Sequence, residues 1–95
     1  MGKEVTLFEA EEKRSLSEVA DFFRQLADRL DKNKVVLRAG DKKIKLDIPD
    51  YVELEIEVEK EISKNKTEIE LEIELKWIEG DKRAGKSKRG PISLD

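Results

Sequence analysis

The chain has 95 residues, enough for one small domain with a thin core. Charged residues make up 45% of it and leave a net charge of −3, against a charged share of about 25% in an ordinary globular domain. Cys and His are absent, which excludes disulfides, thiolate nucleophiles, imidazole or thiolate metal sites, and the usual general base near neutral pH.

Residues 4–13, EVTLFEAEEK, predict a first strand. Val5 and Leu7 point one way and Thr6 and Phe8 the other, until the alternation fades after Glu9. Residues 16–31 predict a helix. Ser15 and Glu18 have capping-box spacing. Leu16, Val19, Ala20, Phe23, Leu26, Ala27 and Leu30 recur at the helical period and form a stripe to be buried. Phe22 lies on the flank of that stripe, and Asn33 suits a left-handed position after the helix.

Residues 34–48 predict a hairpin around Gly40-Asp41. Its register sets Leu37 opposite Ile44 and Val35 opposite Leu46 on one face. Lys34, Arg38, Lys43 and Lys45 take the other. Pro49-Asp50 then turns the chain into VELEIEVEKEISKNKTEIELEIELKW, residues 52–77. A helix would scatter the apolar residues of this stretch around its axis, whereas two strands gather them on one face. With the turn at Ser63–Lys66, Val58 meets Leu71, Ile56 meets Ile73, Leu54 meets Leu75 and Val52 meets Trp77. Lys60 is the exception, opposite Ile69.

The other face of this second hairpin is nearly all glutamate. Glu55 stands opposite Glu74, Glu57 opposite Glu72 and Glu59 opposite Glu70, and like charges directly opposed weaken a sheet. If the two hairpins join into one sheet, Lys43 and Lys45 stand beside Glu57 and Glu55 and offset the repulsion. A carboxylate row suits Ca²⁺ or Mg²⁺ in ligand type, but a flat strand spaces same-face neighbours ~6.5–7 Å apart. No catalytic, cofactor-binding or metal-ligating residue is assigned, and the chain reads as a non-enzyme without cofactors.

The apolar face carries the functional expectation. Five strands make a sheet ~24 Å wide, and one helix covers only ~10 Å of it. Phe22, Val58, Ile62, Ile69, Leu71, Leu75 and Trp77 are therefore the candidate interface, with a second copy of the chain as the expected cover and another protein partner as the alternative.

Residues 79–95 lose all periodicity and read as a disordered basic tail beyond a single domain of residues 1–78. Lys82, Arg83, Lys86, Lys88 and Arg89 could contact anions there. Nucleic-acid association through them is the alternative function, set against a net charge of −5 on the rest of the chain, the total of −3 less the tail's +2. No membrane-spanning window or secretory leader is visible, so the expected location is cytoplasmic. The richness in Glu and Lys matches proteins from hot environments.

The order of these elements resembles a known family. A Phe8-Glu9 strand, SLSEVADFFRQLADRL, a short basic hairpin, IPDYVELEIEVEKE and a closing ELEIELKW together resemble the amphi-Trp domain, a small module of archaea and bacteria. The resemblance covers about residues 5–77. Its most specific parts are the Pro-Asp before the glutamate-alternating strand and the final Glu72, Glu74 and Trp77. It implies no activity or catalytic residue. The expected fold is α+β in the order β-α-β-β-β-β, with one helix on one face of a mainly antiparallel sheet.

Overall fold

The computed structural model describes residues 2–81 and 91–95. The fold is α+β: one helix, then four antiparallel strands. The chain divides into two compact units, residues 1–48 and 49–95.

In the first unit, helix α1 spans Leu16–Leu30. The capping box starts it as the sequence predicts. The Glu18 backbone N–H donates to Ser15 Oγ at 3.1 Å, and the Ser15 N–H donates to Glu18 Oε1 at 3.2 Å. These bonds satisfy amide donors that a helix start otherwise leaves open. The helix closes through Asp31, and Asn33 takes φ 59°. Asn tolerates this left-handed backbone because its short side chain can bond locally. Here its amide donates to the Ile48 carbonyl at 2.9 Å, and the Ile48 N–H donates to the Asn33 carbonyl at 2.8 Å. Asn33 thus ties the helix exit to the end of the hairpin that follows.

That hairpin is β1 (Lys34–Ala39) with β2 (Lys42–Asp47). Its register pairs Leu37 with Ile44 and Val35 with Leu46, as expected, and Gly40 takes φ 59° at the turn. α1 packs against β1. Val35 and Ile48 are the buried apolar residues, and Val19, Ala20, Leu26, Leu30, Leu37, Ile44 and Leu46 are half-buried around them. The expected helix stripe is only partly covered. Leu16 is 83% exposed, and Phe23 and Ala27 also face solvent, because a two-stranded hairpin is narrower than the stripe that faces it.

In the second unit, β3 (Glu53–Ile62) pairs with β4 (Thr67–Lys76). The loop between them closes where the Ser63 N–H and hydroxyl both donate to the Lys66 carbonyl at 2.9 Å. No helix among the described residues is long and apolar enough to cross a membrane.

Two expectations need correction. Residues 2–15 form no strand, and Val5 and Leu7 are exposed. Their alternation breaks at Glu9, and the acidic residues that follow offer a sheet edge no continuous apolar row. The four strands also form two separate two-stranded sheets, β1-β2 and β3-β4. The expected pairing of Lys43 and Lys45 with Glu57 and Glu55 in one sheet is therefore not formed.

Candidate functional site

The β3-β4 ribbon presents two chemically opposite faces, because side chains alternate along each strand and the register keeps like with like. The ladder runs from Glu53–Lys76 to Ile62–Thr67. One face carries the pairs Leu54–Leu75, Ile56–Ile73 and Val58–Leu71, then Lys60–Ile69 and Ile62–Thr67. The expected Val52–Trp77 pair falls one step beyond the ladder's end. Val58, Ile62, Ile69 and Leu71 are 65%, 73%, 68% and 62% exposed, whereas Leu75 and Trp77 are half-buried. Phe22 belongs to α1 in the other unit, where its ring meets Phe23 edge to face at 6.0 Å. Leu54, Ile56 and Ile73 also face solvent and extend the candidate surface. Alternation places these three on the same face as the candidate residues.

The opposite face carries Glu55–Glu74, Glu57–Glu72, Glu59–Glu70 and Glu61–Glu68 in direct register, with Glu53–Lys76 at the open end. The Lys76 ammonium bridges to Glu55 at 3.3 Å. That bond, with the charges of Glu55 and Glu74, holds Lys76 above its ordinary pKa. Carboxylate oxygens of Glu57, Glu59 and Glu72 lie within 4.8 Å of one another. Crowding leaves its mark on titration. Glu57 is pushed above the usual glutamate range by hydrogen bonding to Glu59, then by the charges of Glu59 and Glu55. Glu72 is pushed up by the charge of Glu70 and a hydrogen bond to it, then by Glu57 and Glu74. The three carboxylates sit on open strand surface, and exposed acidic groups gather this way without any ion. They make no enclosed site.

The chain matches the family model of the Amphi-Trp domain over residues 1–94. It belongs to the amphi-Trp family. No curated protein and no solved structure matches it. The family match reaches past the quoted resemblance of residues 5–77 at both ends, into the segment read as a tail.

In this amphi-Trp chain the amphipathic alternation lies in the ribbon: apolar on one side, glutamate on the other, with Trp77 just past the last ladder pair. The candidate anion contacts Lys82, Arg83, Lys86, Lys88 and Arg89 lie outside the described residues, and the nucleic-acid reading rests on them alone. The described carboxylates form no convergent cleft.

Proposed function

We propose that this amphi-Trp protein is a non-enzymatic interaction module that self-associates through the apolar face of the β3-β4 ribbon. The observation that carries the reading is the exposure of that face. A lone two-stranded hairpin is marginal in water and gains independent stability when its apolar face is packed. The glutamate face cannot serve for self-association, since two copies would oppose like charges. With nine Glu and one Lys it carries −8. Stacking the apolar faces instead keeps both glutamate faces on the outside, with the two sheets ~10 Å apart between them.

The magnitude suits a reversible dimer. Leu54, Ile56, Val58, Ile62, Ile69, Leu71 and Ile73 are 43%, 39%, 65%, 73%, 68%, 62% and 51% exposed. At ~2 kcal/mol per fully buried side chain, covering them contributes at most ~8 kcal/mol per copy, or ~16 kcal/mol for a pair. Association costs roughly 4–15 kcal/mol in lost freedom, so a modest surplus remains. Sedimentation equilibrium tests this. The expected result is a concentration-dependent shift from the 11.0 kDa monomer to twice that mass at micromolar concentration. A chain that stays at the monomer mass throughout ends the proposal.

A further inference from the structure

We propose that the glutamate ladder acts as a pH-controlled brake on assembly, so that the ribbon and the contact between copies strengthen together as pH falls from neutral toward about 5. This rests on the self-association proposed above and names its regulation.

Four Glu–Glu pairs stand directly opposed on the outer face. Each such pair weakens the ribbon when both members are ionised. Glu57 faces Glu55 and Glu59 along its own strand and Glu72 across. Glu72 faces Glu70 and Glu74 along its strand and Glu57 across. Lys76 is the one cation on this face, and it stands at the open end, against Glu55. Among the described residues β3 and β4 pair only with each other, and no third strand in their sheet brings a lysine beside the middle of the ladder.

Because the ribbon is marginal alone, work against this repulsion falls on the association constant. A proton added to one member of a crowded pair removes a charge and lets the acid O–H donate to its neighbour. Carboxylate oxygens of Glu57, Glu59 and Glu72 are already within 4.8 Å of one another. The raised pKa values of Glu57 and Glu72 agree in sign. A carboxyl whose folded pKa is raised destabilises the fold fully above that pKa. The penalty is relieved as pH falls through it and is gone below the ordinary glutamate value.

The test measures the dimer dissociation constant by sedimentation equilibrium at about pH 7.5 and about pH 5.5, with EDTA present to remove divalent cations. Acidification also brings the chain toward its isoelectric point near 5.2. Two double variants of equal net charge separate the effects: E57Q with E72Q in the ladder, and E9Q with E11Q in the exposed segment before α1. The expected result is about tenfold tighter association of the wild type and of the E9Q/E11Q control at the lower pH. The ladder variant should already be tighter at the higher pH and change little on acidification. A wild-type dimer whose constant ignores pH overturns the brake and leaves self-association standing. So does a ladder variant that responds to pH as strongly as the control. A chain that is monomeric at both pH values overturns brake and self-association together.

Discussion

Replacing Leu71 by alanine separates an open ribbon from a covered one. Leu71 sits mid-strand, opposite Val58, and is 62% exposed in the single chain. Full burial of a leucine side chain contributes ~2 kcal/mol. The part already covered in the hairpin is therefore worth ~0.8 kcal/mol, and L71A should cost the isolated ribbon about that. The remaining ~1.2 kcal/mol is gained only when another surface closes over the face. In a symmetric pair the loss counts twice, ~2.5 kcal/mol, which weakens the dimer ~60-fold. Any cavity left unfilled increases the loss. The assay is the dimer dissociation constant of L71A beside that of the wild type, with circular dichroism to verify that strand content is kept. A constant within twofold of wild type, strand signal intact, would refute the claim that this face is the interface.

Other outcomes follow from the same geometry. S15A removes the hydroxyl that caps α1 and should destabilise the first unit by ~1 kcal/mol, read from the helical circular dichroism signal on heating. N33V places a β-branched residue at φ 59° and should lower stability by roughly 1–2 kcal/mol relative to N33G in urea unfolding, since glycine adopts that backbone without strain. Acid should act on the two units with opposite sign. Glu18 is held below the usual glutamate range by the hydrogen bond from the Ser15 N–H, then by the Ser15 hydroxyl and the Arg14 charge. Its contribution is present above the ordinary glutamate pKa and lost as pH falls through the lowered one, while the penalty that Glu57 and Glu72 place on the ribbon is relieved as pH falls toward that ordinary value. Residue-resolved amide exchange should show ribbon amides gaining protection on acidification from neutral pH, with α1 amides losing it only at lower pH.

Local pattern carried most of what was legible in the chain. Ser15 and Glu18 announced the helix start, Asn33 its exit, and Gly40 the first turn. In the second hairpin, strict alternation fixed every ladder pair from Leu54–Leu75 to Lys60–Ile69, because a slip by one residue would place the whole apolar row among the glutamates. What failed was association between elements. Val5 and Leu7 have strand character without a partner edge. Lys43 and Lys45 have the right charge for Glu57 and Glu55, yet their strands do not pair. Pairing of separate hairpins depends on edges and packing that no periodicity reports. The candidate surface was legible in kind, since Val58, Ile62, Ile69 and Leu71 are exposed as expected. It extends to Leu54, Ile56 and Ile73, which are exposed as well. Phe23 also faces solvent, although helical spacing assigns it to the buried stripe.

The most direct measurement mixes isotope-labelled and unlabelled copies and records nuclear Overhauser contacts between them. The account predicts contacts across copies from the methyl groups of Ile56, Val58, Leu71 and Ile73. Contacts from these methyls that arise only within one chain, in a sample at dimer concentration, would contradict it.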